Sequence, residues 1–161
     1  MRQSYVTVQE AEDFLNQSLN NGVWLSMTPT QKQNSLFDAS QLLDNLFDWK
    51  GNKSDHNQIL AWPRKNVTDC EDNEVDDSTI PLEITTSVIT LASNMTLGSS
   101  PLLYDQSNVT KVKVGPIDIS MDSNKLASDV IPDFIKTSLR CLGTYVGPKD
   151  AMTAYNVRAF R

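Results

Sequence analysis

The segment from Thr28 to Gly51 constrains this chain more than any other. Thr28-Pro29-Thr30-Gln31 is a helix start. The threonine hydroxyl caps, the proline takes the first helical position where its missing N–H costs nothing, and the glutamine completes a capping box. Leu36, Ala39, Leu42, Leu43, Leu46 and Phe47 then recur mostly at spacings of three and four. That periodicity predicts a helix of about 28 Å with one apolar stripe, stopped by Gly51. The stripe is expected to pack against Phe14, Val88, Leu91 and Leu139.

Other helices carry their own punctuation. Thr7-Val8-Gln9-Glu10 is a capping box, with Val6 and Ala11 placed for a hydrophobic staple. The helix it opens should run to about Leu19, with Val8, Ala11, Phe14, Leu15 and Leu19 near one face, and end at Asn20-Asn21-Gly22. Ile80-Pro81 opens a helix to about Leu97, with Ile84, Val88, Leu91, Ala92 and Met95 inward. Its threonines and valine lower intrinsic propensity, so packing has to hold it. Ile131-Pro132 opens another, to Leu142, with Ile135, Leu139 and Leu142 inward and Gly143 as the stop.

Two stretches break the helical period. Residues 52–80 read as a long connection with a short turn at Gln58 to Ala61 and a limit at Pro63. From Val109 to Met121 apolar and charged residues alternate around Gly115-Pro116, the pattern of a bent strand or a short hairpin. Lys111, Val112, Lys113 and Val114 form a candidate inter-subunit strand, because an open edge invites pairing with a neighbour. The fold class expected is mainly α: a small bundle of about four helices with a short β-hairpin or bent strand and an extended C-terminal arm. Residues 1–142 would be the helical domain and 143–161 the arm.

Charge and cysteines narrow the chemistry. The net charge is −6, and residues 69–77 hold six acids and no base. Residues 143–161 hold Lys149, Arg158 and Arg161 against Asp150 alone. A core this acidic argues against tight binding to a phosphate backbone, which needs basic clusters. Cys70 and Cys141 have neither a metal-ligand spacing nor the density of a disulfide framework. Cys141 reads as a buried thiol, and Cys70 as a poor nucleophile whose acidic neighbours raise its pKa. No cofactor or metal is expected: the acidic run lacks the glycine and twelfth-position glutamate of a calcium loop. His56 is the only histidine and sits in a polar loop without a catalytic partner. No phosphate-binding glycine loop or nucleophile elbow is present. No stretch approaches the length of a membrane span, and the N-terminus has no apolar signal core.

Trp62-Pro63-Arg64 has two readings. Trp62 plugs the core while Pro63 fixes the exit of the loop, or Trp62 and Arg64 anchor an interface, where both residue types are enriched. Trp49 belongs with them as a structural or inter-subunit motif. In the arm, Tyr145, Tyr155 and Phe160 are candidate apolar anchors and Arg158 and Arg161 candidate charge partners for an acidic surface.

In order along the chain stand Ser4-Tyr5-Val6-Thr7-Val8-Gln9-Glu10-Ala11, Trp24, Trp49-Lys50-Gly51, Gln58 to Arg64, Ile80-Pro81, Lys113-Val114-Gly115-Pro116 and Ile131-Pro132. This set resembles a family of tailed-phage head-to-tail connector adaptors. The resemblance implies a non-enzymatic virion protein at the head-to-tail interface, made in the host bacterial cytoplasm. It would form a ring, twelve copies in the family, that touches itself, the portal protein and a tail nozzle or tail tube protein. Double-stranded DNA would pass through without specific binding, and no membrane is involved. The arm residues named above would then meet the portal or a neighbouring subunit. The alternative is a phage-encoded single-stranded DNA-binding or replication accessory protein, the function under which phage genomes label relatives of this family. That reading requires basic grooves with interleaved aromatics.

Overall fold

The computed structural model describes residues 3–18, 21–94, 111–114, 117–120 and 131–147. Among them are five helices: α1 (Val8–Leu15), α2 (Gly22–Ser26), α3 (Pro29–Leu46), α4 (Leu82–Asn94) and α5 (Asp133–Leu139). Six short strands accompany them: β1 (Phe47–Trp49), β2 (Asn52–Lys53), β3 (Arg64–Lys65), β4 (Lys111–Val114), β5 (Ile117–Ser120) and β6 (Gly143–Tyr145). They pair antiparallel as β1 with β6, β2 with β3, and β4 with β5. The mainly helical class with small β elements is as expected from the sequence.

α3 is the central helix, packed chiefly on α4 and also on α1 and β1, while α2 and α5 pack on α4. Both capping boxes form, at Thr7 with Glu10 and at Thr28 with Gln31. Leu36, Ala39, Leu42, Leu43, Leu46 and Phe47 are all buried, as are Val88, Leu91 and Leu139. Phe14 is not part of that core: it is 40% exposed, and α1 buries Ala11 and Leu15 instead. The helix ends at Leu15 rather than near Leu19, so Phe14 lies in its last turn.

α4 holds its hydroxyl-rich sequence by back-bonding. Thr85 and Thr86 donate to Leu82 O, Ser87 to Glu83 O and Thr90 to Thr86 O. These local bonds satisfy the hydroxyls in place, and Ile84, Val88, Leu91 and Ala92 are left to face the core. Ser40 likewise donates to Leu36 O on α3 and is fully buried.

Four boundaries differ from the sequence reading. Gly22 opens the short helix α2, which buries Trp24, rather than closing α1. α3 stops at Leu46 because Phe47 turns extended to pair with Tyr145. Gly51 is instead the turn between β1 and β2, at φ +68°, where a Cβ would strike the Lys65 carbonyl and the Val67 side chain. Residues 143–145, placed in the arm by the sequence reading, are a strand of the β1–β6 sheet, and Val146 N–H continues it by donating to Leu46 O.

The cysteines are joined. Cys70 and Cys141 form a disulfide with Cα atoms 5.2 Å apart, within the usual range. The separate fates expected for a buried Cys141 thiol and a Cys70 thiol do not occur. The acidic run folds as a small hairpin, with Asp69 accepting from the N–H groups of Glu71 and Asn73 and Val75 N–H donating to Val67 O. That hairpin carries Cys70 to the turn after α5, a long-range meeting that spacing alone does not encode.

Candidate functional site

The part of the molecule between Trp49 and Lys65 is organised by one half-buried carboxylate. Asp44, on α3, accepts from Tyr5 Oη at 2.6 Å and Trp49 Nε1 at 3.1 Å through Oδ1, and from Ala61 N–H at 2.9 Å through Oδ2. Tyr5 Oη in turn accepts from Trp62 N–H at 3.1 Å. The N-terminal segment, α3, β1 and the loop before β3 are thereby tied at one point. Burial raises the Asp44 carboxyl above its ordinary value, while the bonds from Tyr5, Ala61 and Trp49 and the charge of Lys53 pull it down. Burial, then the charge of Asp44, pushes the Tyr5 phenol far up, so it stays protonated and keeps donating.

Arg64 performs a second task in the same region. Its guanidinium donates to four backbone carbonyls: Lys50 O from Nε, Ala61 O from one terminal nitrogen, and Trp49 O and Gly51 O from the other. The left-handed turn at Gly51 gathers the Trp49, Lys50 and Gly51 carbonyls around the guanidinium, and the fork geometry of arginine matches them. Burial holds the Arg64 pKa below its ordinary value, against the opposing charges of Asp44 and Asp48. Gln58 completes the loop, donating to Leu60 O and Pro63 O and accepting from Asp55 N–H.

With the backbone fixed in this way, four basic residues stand on or next to β2 and β3. Lys53 lies opposite Arg64 and Asn52 opposite Lys65, while Lys50 stands one residue before the Gly51 turn. Lys50 and Lys65 are exposed. Lys53 is half-buried and donates to Gln58 O. His56 is solvated, 3.7 Å from Asp55, as its polar loop implied. Arg64-Lys65 is an adjacent basic pair on a strand, a signal the sequence reading passed over in favour of Lys111 and Lys113.

Beside this cluster runs a row of aromatic rings. Trp62 meets Trp49 edge-on at 5.8 Å, Trp49 stacks on Phe47 at 5.0 Å, and Phe47 meets Tyr145 edge-on at 5.6 Å. The tryptophans and Phe47 are buried. Tyr145 ends the row, half-buried, with Lys136 Nζ 4.7 Å from its ring centre. Such a row holds the β1–β6 sheet against the loop.

The expected site residues therefore separate. Trp49, Trp62, Pro63 and Arg64 come together as a structural unit, with a cis peptide bond between Trp62 and Pro63. Tyr145 lies in β6, against the core. Tyr155, Arg158, Phe160 and Arg161 lie outside the described residues. Lys111 to Val114 form β4, paired with β5 of the same chain in the register Lys111 to Ser120. Sequence reasoning missed Asp44 and the Tyr5 hydroxyl altogether. Asp44 lies beside the apolar stripe of α3, and nothing in the sequence marks it or Tyr5 as partners.

No helix among the described residues is long and apolar enough to cross a membrane, and none of their His, Cys, Asp and Glu side chains form a group of three able to hold a metal ion. No curated protein and no solved structure matches the chain. A family model does, described as "Putative DnaT-like ssDNA binding protein", over residues 2–161. That match overturns the assignment to connector adaptors, together with its ring, its portal and tail partners, its unbound double-stranded DNA and its place in the virion. The capping boxes, Trp49, Trp62 and Arg64 that carried the resemblance all make contacts within this domain. The chain belongs to the DnaT-like ssDNA-binding family that this model describes.

Proposed function

We propose that the protein binds single-stranded DNA and serves as a replication accessory factor, without catalysing a reaction. The observation that carries this reading is the family match across residues 2–161. The cluster around β2 and β3 supports it. Lys50 and Lys65 extend into solvent from a backbone that Arg64 and Asp44 hold rigid, so two charges are presented to phosphates without ordering a loop on binding. Lys53, half-buried and opposite Arg64 in the same pair of strands, adds a third cation. Rigid placement matters more here than charge number, because the chain as a whole is acidic at −6.

The test is fluorescence anisotropy of a labelled oligo-thymidine titrated with the full chain at several salt concentrations. Three phosphate contacts predict a slope of log affinity on log salt of about −2. Lys50→Glu with Lys65→Glu should weaken binding and flatten that slope. No binding up to about 100 μM protein at low salt, the weak end of non-specific affinity, refutes the function. Binding that persists unchanged in the double variant keeps the function and refutes the cluster as its site.

A further inference from the structure

We propose that the Cys70–Cys141 disulfide is a redox latch on the cation cluster at β2 and β3, a regulation that rests on reading that cluster as the DNA contact. The bond ties together the two flanks of the cluster. On one side, Cys141 is followed by Leu142, whose carbonyl accepts the Lys50 N–H at 2.9 Å, and then by Gly143, paired with Trp49. On the other, Cys70 lies a few residues beyond Lys65, in the hairpin anchored by buried Val67, whose side chain sits against the Gly51 turn. The circuit thus runs from Lys50 by a hydrogen bond to Leu142, along the chain to Cys141, across the disulfide to Cys70, and back along the chain to Lys65. With the bond closed, both lysines are fixed to one frame. With it open, the hairpin and the turn after α5 are joined there only by non-covalent contacts.

Reagent access is built in. Cys70 is exposed and Cys141 half-buried, and both line a cleft of about 160 Å³ with Asp69, Glu71, Glu83, Ser138 and Leu142. The reductant is a dithiol. Its thiolate attacks Cys70 Sγ, a mixed disulfide forms, and Cys141 leaves and takes up a proton. The second thiol of the reductant then displaces Cys70, which is protonated in turn. Two electrons and two protons pass to the protein, and the dithiol becomes a disulfide. Asp69, Glu71 and Glu83 disfavour a thiolate in the cleft, which slows both the opening and the re-forming of the disulfide.

The experiment compares the oxidised full chain, the dithiol-reduced chain, the re-oxidised chain and Cys70→Ser. Alkylation followed by mass measurement counts thiols: none in the oxidised chain and two after reduction are expected, and two thiols after mild oxidation would overturn the proposal. Oligo-thymidine affinity should fall about threefold to tenfold on reduction, the cost of re-ordering one or two side chains at the contact. It should return on re-oxidation, and Cys70→Ser should match the reduced chain whether or not dithiol is added. Equal affinity of the two forms overturns the latch. If neither form binds DNA, the function fails, and hydrogen exchange at the Lys50 amide decides the latch by itself. Faster exchange after reduction keeps it, and unchanged exchange overturns it.

Discussion

Replacing Asp44 by alanine is the sharpest test of how this domain holds together. The substitution strands three donors at once: the Tyr5 hydroxyl, the Trp49 indole N–H and the Ala61 amide. An orphaned buried donor costs about 1–3 kcal/mol. Relief from burying a carboxylate, and water entering the space, offset part of that. The expected net loss is about 2–4 kcal/mol, a fall in Tm of about 4–16 °C for a chain of this length. Urea unfolding followed by circular dichroism measures it, with an unchanged m-value confirming that only stability moved. Tyr5→Phe should cost less, about 1–3 kcal/mol, because it strands the Trp62 amide and removes one donor from Asp44. The two changes share the 2.6 Å bond, so the double variant should be less destabilised than the sum, by about 0.5–3 kcal/mol. The pH dependence gives an independent check. The folded Asp44 pKa lies above its unfolded value. Stability therefore falls as pH rises from about 3.9 through the folded pKa, and is flat beyond it. Asp44→Ala abolishes that fall. A loss within about 0.5 kcal/mol, the range of surface substitutions, or strict additivity with Tyr5→Phe, would refute the network as a keystone.

Other perturbations probe separate elements. Leu43 is fully buried in the α3 stripe, so Leu43→Ala should cost about 2–5 kcal/mol by urea unfolding; a value near zero would remove the stripe from the core. Gly51→Ala forces a side chain into a left-handed turn and onto the Lys65 carbonyl. It should cost about 2 kcal/mol or more and shift the Lys53 and Arg64 amide resonances, and a neutral effect would contradict the turn. The Glu10 carboxyl is held below its ordinary value by bonds from Thr7. Its contribution is therefore present above about pH 4.3 and lost as pH falls through the lowered folded value. Thr7→Ala should cost about 1 kcal/mol and make the acid limb of a stability-pH curve shallower, and an unchanged limb would refute the capping role.

What the sequence disclosed depended on how local the cause was. The capping boxes at Thr7 and Thr28 are written in four consecutive residues, and both formed. The α3 stripe is a period, and it was buried in full. Boundaries went astray where a tertiary partner decided them. Phe47 left the helix because Tyr145 was there to pair with it, and no residue near Phe47 announces a strand about a hundred positions later. Gly22 and Gly51 were each read as stops, since glycine signals backbone freedom without saying which turn uses it. The disulfide and the Asp44 network were invisible for the same reason. Both join segments far apart in sequence, and neither cysteine nor aspartate carries a mark of its eventual neighbour.

Function was misjudged through an average. A net charge of −6 argues against phosphate binding only if charge is spread evenly, and here it is not. Six acids sit on the hairpin of residues 69–77, where Asp69 and Asp76 are turned to capping their own turns. Lys50, Lys53, Arg64 and Lys65 lie instead on or next to β2 and β3, with Lys53 opposite Arg64. Within a Debye length of about 8 Å at physiological salt, a phosphate responds to the charges beside it more than to the total. The same screening limits the reach of the acidic hairpin, so under the proposed function the Lys50 and Lys65 side chains, rather than the overall charge, would decide whether single-stranded DNA is held.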